Sequence, residues 1–345
     1  MGHPSTENET PLVLEPLYLA DEEMQPLLVL VVKATYAIGR DGLTLAEEQE
    51  PVNVAGEYWG EPESSSYRYE PECAFFKPAT DVVLVGHAHA PAPDTRELLV
   101  ALQVGPVRKG VKVVGDRTWY RSMGSISATR PQPFERMPLR YERAFGGWDR
   151  TGEDPAKHRF EPRNPVGVGF RASHRNFEEG LRLPNLEDPE QPVQRFGQVV
   201  SPAGFGFTSP NWQPRAAYAG TYDEAWDKSR KPMLPKDFDR RFLSAASPGL
   251  VAPSYLKGGE PVTVVNASSL GRLSFSLPGV APKITVVLAG AEDAHPPLNL
   301  DTVILDTDEH RLFLLWRAVL PLADGPHDVQ GIRLEAEGLP ARPVS

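Results

Sequence analysis

The side chains best suited to chemistry are carboxylates that lie among aromatic residues in the middle of the chain. Two carboxylates beside aromatic platforms are the arrangement that cleaves glycosidic bonds. The candidate acids are Glu142, Asp149, Asp223, Asp237 and Asp239. The same acids also suit local structure, because carboxylates in turns accept backbone N–H bonds. A carboxylate-based hydrolase is therefore one interpretation, and a set of structural or binding acids is the one that we expect.

Other residues with catalytic or ligand chemistry are sparse. His87-Ala88-His89 puts two rings on one face of a strand, but no third metal ligand is marked, so we expect structural histidines. Nothing beside Cys73 in sequence activates a thiol, and we expect an inert packed residue. The chain has no HExxH, Walker, GxSxG or paired CxxC motif. We therefore predict no metal, no cofactor and no enzyme activity.

The region from Tyr141 to Phe242 combines many aromatic residues, glycines and prolines with neither a strand period nor a helix period. Disordered segments are poor in aromatic residues, whereas this region contains three tryptophans. We therefore predict an ordered loop assembly that presents a recognition surface. Arg, Trp and Tyr carry much of the energy of protein interfaces. The candidate partner-binding residues are Arg143, Phe145, Trp148, Trp212, Arg215, Tyr222, Asp223 and Trp226.

The two arginines in this set have an equally strong alternative. An arginine beside aromatic rings can stack on them and pair with a carboxylate of its own chain. Arg143 and Arg215 could therefore serve the fold instead of a partner, and the sequence leaves both roles open.

Composition limits the classes of partner and the cellular location. The 345 residues carry a formal net charge of −10, which argues against nucleic acid or an anionic membrane as the main partner. The N-terminal stretch lacks the basic-then-apolar order of a signal peptide, and the longest apolar run, at 26–32, is too short to span a bilayer. A single cysteine fits a reducing compartment. We expect a soluble cytoplasmic protein.

Strand signals concentrate at both ends of the chain, where Val/Leu-rich runs are bounded by turn residues. In the first third, the predicted strands are 27–38, 81–90, 96–104 and 111–114, with residues 108–110 as a hairpin turn. In the last third they are 261–267, 272–277, 283–288, 302–305, 310–320 and 331–335. Helix is predicted only at 236–247, where Phe238 and Phe242 have i, i+4 spacing, and more weakly at 222–229.

These signals predict a mainly β protein. Its two strand regions should pack as one sandwich-like body around a long irregular insertion with one or two short helices. We predict a flexible N-terminus at 1–12, a single domain at 13–330 and a C-terminal tail at 331–345. Within the domain, N-terminal strands cover 13–120, a loop-rich middle covers 121–255 and C-terminal strands cover 256–330.

Long motifs occur in order along most of the chain. They are KPATD at 77–81, VVGDRTW at 113–119, PLRYERAFGG at 138–147, NPVG at 164–167, LPNLE at 183–187, GFG at 204–206, WQPR at 212–215, GTYDEAW at 220–226, LPKDFD at 234–239 and LLWR at 314–317. With these motifs, residues 33–320 resemble a bacterial domain-of-unknown-function family whose members are encoded beside type VI secretion genes.

The resemblance implies a function of the protein-binding class. Some members of this family are described as chaperones or adaptors that load a toxic effector onto the secretion spike. The implied partner is an effector protein, with the spike-tip protein as a further candidate; a structural component of the secretion apparatus is an alternative. The resemblance transfers no catalytic residue and no partner-contact residue to this sequence, and it leaves the oligomeric state open.

Overall fold

The structure of the protein, a computed structural model, describes residues 5–40, 42–337 and 339, and it is mainly β, as predicted. The first part of the chain forms β1 (Ser5–Asn8), β2 (Val13–Ala20), β3 (Pro26–Gly39), β4 (Gly42–Leu45), β5 (Glu57–Tyr58), β6 (Tyr67–Tyr69), β7 (Asp81–Val85), β8 (His87–His89), β9 (Glu97–Val104), β10 (Val107–Val114), β11 (Trp119–Ser122) and β12 (Ser125–Ala128).

The middle and the last part of the chain differ in strand length. The middle holds short strands: β13 (Arg136–Pro138), β14 (Phe145–Gly146), β15 (Trp148–Asp149), β16 (Arg159–Phe160), β17 (Val168–Gly169) and β18 (Leu186–Glu187). The last part holds longer ones: β19 (Pro261–Val265), β20 (Leu273–Ser276), β21 (Pro282–Leu288), β22 (Asn299–Asp306), β23 (Arg311–Pro321) and β24 (Val329–Ala336). The predicted long irregular insertion thus separates two strand-rich regions.

The largest sheet joins strands from both ends of the chain. Its order is β2-β3-β23-β22-β7, with β4 also paired to β3, and only the β22–β7 pairing is parallel. β3 and β23 pair antiparallel from Leu27 opposite Pro321 to Ala37 opposite Arg311. Every residue from 28 to 32 in β3 is completely buried. That burial explains a continuous Val/Leu run without polar alternation, because both faces of the strand are covered.

A second sheet has the order β18-β10-β9-β19-β20 and again mixes the two strand regions. The prediction of its hairpin turn at 108–110 is wrong. Val104 pairs with Val107, so the turn is Gly105-Pro106, and residues 108–110 continue β10. Gly105 has φ of 53°, a left-handed value that glycine adopts without steric cost. The buried residues of both sheets belong to one hydrophobic core, as the predicted sandwich-like body requires.

The two ends of the chain meet in a small third sheet of order β1-β24-β21. Ser5–Asn8, inside the segment predicted to be flexible, pairs in parallel with residues 331–334 at the start of the predicted tail. The outermost residues of both predictions, 1–4 and 340–345, lie outside the described residues.

One of the two predicted helices does not form. The helix predicted at 236–247 is wrong, because only a 3-10 helix, Arg240–Leu243, forms there. Asp239 accepts a bond from the Arg241 amide and thereby caps this turn. The weaker prediction at 222–229 corresponds to α1 (Glu224–Ser229), which Asp223 caps. Further 3-10 helices are Tyr141–Arg143, Pro155–Lys157, His174–Asn176, Arg215–Ala219 and Gly325–Asp328.

Candidate functional site

The eight predicted partner-binding residues do not share one surface. Trp148 and Tyr222 are 42% and 53% exposed, and Asp223 is also exposed. Arg143 and Trp226 are half-buried. The remaining three are buried: Phe145, Trp212 and Arg215.

The buried members of the set hold the loops on the core. The Trp212 ring packs edge-to-face on Tyr141, with centroids 5.3 Å apart. Arg215 donates from Nε to the Phe242 carbonyl at 2.7 Å and from Nη1 to the Thr208 carbonyl at 2.7 Å. Its guanidinium also pairs with Glu70, whose pKa is raised by burial. Of its two alternatives, Arg215 therefore has the internal role.

The exposed and half-buried members of the set also contact other residues of the protein. Arg143 donates to Asn185 Oδ1 at 3.2 Å and lies 3.4 Å from Asp116 Oδ1, so it too has internal partners. Asp223 accepts a bond from the Trp226 amide at 2.8 Å, and the Tyr222 and Trp226 rings pack edge-to-face at 4.7 Å. These contacts stabilise the start of α1.

Trp148 has a different environment, because its ring is displayed at the surface. β15 pairs with β16 so that Trp148 lies opposite Phe160, and the two rings stack with centroids 4.6 Å apart. Both rings are 42% exposed. The guanidinium of Arg150, also exposed, lies 5.3 Å from the indole centroid. An exposed aromatic pair beside a cation is a typical anchor for a protein partner.

Trp148 lines an open cleft of about 430 Å³, and Phe160 is not among its lining residues. The lining residues come from the FGGWD and NPVG motif regions and from two neighbouring loops: Glu63, Ser64, Gly147, Trp148, Arg150, Thr151, Pro165, Val166, Gly167, Arg171 and Glu178. These two motif regions and the loop that contains Glu63 and Ser64 therefore meet in one concave surface.

A single buried amide ties the two motifs together. Asn164 is completely buried, and its side-chain nitrogen donates to the Tyr141 carbonyl at 2.8 Å and to the Phe145 carbonyl at 3.0 Å. The backbone carbonyl of Asn164 accepts a bond from the Gly147 amide at 2.8 Å. Gly147 has φ of 90°, and a Cβ there would lie 2.2 Å from the Gly167 carbonyl oxygen. Only glycine permits this close approach of the two loops.

A second hollow of about 400 Å³ adjoins the first, since Arg171 and Glu178 line both. Its far wall contains Trp119 and Phe196, which pack edge-to-face at 5.8 Å in a small hydrophobic cluster with Leu183. We call the two hollows together the Arg171 groove.

The arginines in and around the groove differ in their partners. Arg143, Arg163 and Arg215 in the same region each pair with a carboxylate. Among the described residues, no carboxylate lies within 4.0 Å of the guanidinium of Arg150 or Arg171. Arg171 donates from Nη1 to the Phe170 carbonyl at 2.8 Å, and its buried Nε has no acceptor there. Arg182 also lines the second hollow, and Glu63, Glu178 and Glu179 line the same two hollows, so the groove carries as many glutamates as arginines.

The acids that could have formed a hydrolase site each bind nearby donors. Glu142 accepts the Ser66 amide at 2.7 Å, and Asp239 accepts the Arg241 amide at 2.9 Å. Asp149 accepts the Ala172 amide at 2.8 Å and the Asn176 side chain at 2.6 Å. Burial opposes the charge of Asp149, but these bonds hold its pKa below the usual value.

The remaining two acids show the same behaviour. Asp223 caps α1, and Asp237 accepts both the amide of Thr221, at 3.0 Å, and its hydroxyl, at 2.7 Å. The backbone bond from Thr221 lowers the pKa of Asp237. These acids therefore serve as turn and cap residues.

The histidine pair lies in β8, which pairs antiparallel with β13. His87 Nδ1 is 2.6 Å from Asp308 Oδ2, and Arg136 donates to the other oxygen of Asp308 at 2.9 Å. Burial and the nearby Arg136 charge lower the pKa of His89. Within the ranges that the structure describes, no group of three or more His, Cys, Asp or Glu residues is arranged to hold a metal ion.

Cys73 is half-buried, with Sγ 3.7 Å from the Val54 carbonyl.

Sequence reasoning missed a buried polar network beside the groove region. Lys109 Nζ donates to Ser247 Oγ at 2.6 Å, and the Tyr141 hydroxyl donates to the same oxygen at 2.9 Å. Burial lowers the pKa of Lys109 to about 8. Ser247 is completely buried and donates to the Gly204 carbonyl at 2.8 Å. These residues are far apart in sequence, so no local motif could have revealed them.

The comparisons with known proteins place the chain in a family. In the described part of the chain, no helix is long and apolar enough to cross a membrane. No curated protein and no solved structure matches the sequence. A family model described as "Uncharacterized protein conserved in bacteria (DUF2169)" matches residues 23–317, and the chain therefore belongs to this bacterial family.

Proposed function

We propose that the protein is a cytoplasmic adaptor that binds a type VI secretion effector and aids its loading onto the secretion spike. The observation that carries the proposal is the Arg171 groove, an open concave surface lined by the exposed Trp148, whose ring stacks on Phe160. A spike-tip protein is a further candidate partner for the same molecule.

The construction of the groove supports binding of a polypeptide. Its two hollows share Arg171 and Glu178, and their lining mixes aromatic rings, glycine backbone and charged side chains. Aromatic and arginine side chains contribute most to protein–protein affinity. The Asn164 amide and the close approach at Gly147 fix the loops before a partner arrives. Such pre-organisation reduces the entropy cost of binding.

The fate of the predicted acids also favours binding over hydrolysis. Glu142, Asp149 and Asp237 are each occupied by backbone amides, which is the role of a structural carboxylate. The acids that line the groove are Glu63, Glu178 and Glu179, and no sequence motif marks them as catalytic.

The test is co-purification of the protein with the product of the neighbouring effector gene. We expect the wild-type protein and a Tyr18→Ala control to retain the effector, and a Trp148→Ala/Phe160→Ala variant to lose most of it. Tyr18 is 38% exposed on β2 and is not part of the groove lining, so it is a matched aromatic truncation. Normal solubility, loading and secretion of the effector after deletion of this gene would overturn the proposal.

A further inference from the structure

We propose that Lys109 is a site of covalent acylation, and that its amine takes the acyl group of small acyl phosphates. This inference goes beyond the proposed function and does not depend on it. Lys109 lies in β10, and its side chain reaches the loop that follows the Arg240–Leu243 turn, where it contacts Ser247 and Pro248.

The surroundings of Lys109 differ from those of the other lysines. Seven of the ten lysines form an ion pair with a carboxylate. Among the residues that the structure places, no carboxylate lies within 4.0 Å of the amines of Lys109, Lys236 and Lys257. Lys236 and Lys257 are exposed, whereas Lys109 is half-buried. The charge of Lys109 is therefore stabilised neither by a close acid nor by full exposure to water.

The hydrogen bonds of the Lys109 amine are those of its neutral form. Nζ lies 2.6 Å from Ser247 Oγ and 2.8 Å from the Pro248 carbonyl oxygen. Ser247 donates its own hydroxyl hydrogen to the Gly204 carbonyl, so Lys109 is the donor in its contact with Ser247. A charged ammonium has three N–H groups to satisfy, whereas a neutral amine has two N–H groups and a lone pair. Within the described part of the chain, the two acceptors match the neutral amine and no donor occupies its lone pair.

Burial favours the same neutral form. It lowers the pKa of Lys109 to about 8, and Asp188, which lies beyond ion-pair distance, opposes this shift only in part. An exposed lysine has a pKa of about 10.4, so a much smaller fraction of it is neutral near neutral pH. A lysine that is desolvated in this way is an activated nucleophile.

The reaction is a transfer of the acyl group from phosphate to nitrogen. The lone pair of Nζ forms a bond to the carbonyl carbon, the bond between that carbon and the phosphate oxygen breaks, and inorganic phosphate leaves with the electron pair. The nitrogen loses one proton to water. The product is a neutral amide, which a half-buried site disfavours less than an ammonium. The donor has to be small, because the completely buried Ser247 lies against the amine.

Acylation changes the contact between β10 and the loop. An amide nitrogen keeps a single N–H, so acylated Lys109 can bond to Ser247 Oγ or to the Pro248 carbonyl but not to both. One acceptor then loses its partner, which weakens the tie between the strand and the loop.

The experiment exposes the full-length protein to acetyl phosphate at about pH 7.5 and follows the acetylation of each lysine by peptide mass spectrometry. Lys236 and Lys257 are the controls, since both are exposed and have no carboxylate partner among the placed residues. We expect Lys109 to react about tenfold faster than either control, because a larger fraction of its amine is neutral. In urea that unfolds the chain, this advantage should disappear.

The pH dependence of the rates provides a second readout. The rate at Lys109 should level off above a pH of about 8, whereas the rates at Lys236 and Lys257 should keep rising about tenfold per pH unit towards their ordinary pKa. Acetylation of Lys109 no faster than that of Lys257 in the folded protein would overturn the inference, and so would rates that rise in parallel at all three lysines. Neither result bears on effector co-purification, so the adaptor function is tested separately.

Discussion

The indole of Trp148 stacks on the phenyl ring of Phe160 at 4.6 Å between centroids and 29° between ring planes, and both rings remain 42% exposed. An aromatic pair that serves only the fold is expected to be buried, because burial supplies most of its stabilisation. This pair is instead held by the two-residue ladder between β15 and β16, and Trp148 lines the Arg171 groove. Its exposure distinguishes it from the buried Trp212 ring.

Truncating the exposed pair should therefore affect binding far more than folding. We predict that Trp148→Ala and Phe160→Ala, made singly, each lower the free energy of unfolding by less than the core variant below, because each residue is 42% exposed and so buries less area. Urea denaturation measures this quantity. The matched core variant Trp212→Ala removes a buried ring and should cost about 3–5 kcal/mol. A loss from the Trp148 variant as large as from the core variant would assign Trp148 to the fold.

Gly147 should be irreplaceable for steric reasons. We predict that Gly147→Ala destabilises the protein by at least about 2 kcal/mol more than Gly152→Ala. Both glycines have positive φ, 90° and 96°, so both variants carry the same strain of about 1–2 kcal/mol. Only at Gly147 does the added Cβ meet a carbonyl oxygen, that of Gly167, while a Cβ at Gly152 meets nothing within 4 Å. Equal losses in chemical denaturation would show that the two loops need not approach closely.

Arg215 should behave as a structural residue. We predict that Arg215→Met costs about 3–5 kcal/mol of unfolding free energy, because it leaves the buried carboxylate of Glu70 without its partner. The control Arg240→Met breaks an ion pair at a more exposed site and should cost much less. A double variant, Arg215→Met/Glu70→Leu, should recover part of the loss. If Arg215→Met folds as stably as wild type and only binding suffers, the internal assignment is wrong.

Stability should depend on pH through His89. Its folded-state pKa lies below the ordinary 6.5, because burial disfavours the charged ring and Arg136, His87 and His310 add repulsion, against which only the attraction of Asp308 acts. The unfolded chain therefore binds the proton first as the pH falls. The free energy of unfolding should decrease as the pH drops through about 6.5, and this loss should persist at lower pH.

The check is urea denaturation at a series of pH values between 7.5 and 5. His89→Gln should flatten the profile in this window relative to wild type. Asp308 has a lowered pKa because bonds from His87 and Arg136 outweigh its burial, so its own contribution is lost only in more acidic solution. A wild-type profile that rises on acidification would contradict the prediction.

Much of the β framework could be predicted, because strand burial leaves a direct trace in composition. β3 and β23 are buried along nearly their whole lengths, and their unbroken apolar runs show it. The helix prediction failed for a different reason. Phe238 and Phe242 do contact each other, at 5.9 Å between centroids, but Asp237 and Asp239 bond to nearby amides and hold the segment in turns. Such competition between side chains and the helical backbone is not visible in spacing alone.

Only part of the candidate site could be predicted from the sequence. Trp148 could be named from its type and its Gly-rich setting, yet Arg215 looked equally suited to a partner. Its acid, Glu70, lies 145 residues away in the sequence, so the pairing is a property of the fold. By the same reasoning, Arg150 and Arg171 could not be recognised as unpaired until every neighbouring acid had been placed. The sequence shows which residues are of a type that binds partners, and the structure shows which of these side chains have no ion pair among the described residues.

The most direct test of partner binding is site-specific photo-crosslinking in cells. p-Benzoylphenylalanine is placed at position 148, in the groove, and in a separate strain at position 18, on β2, with the neighbouring effector gene expressed. We predict a covalent adduct between the protein and the effector from position 148 and none from position 18. Equal adducts from both positions, or none from position 148 while the effector still co-purifies, would contradict the assignment of the Arg171 groove as the binding surface.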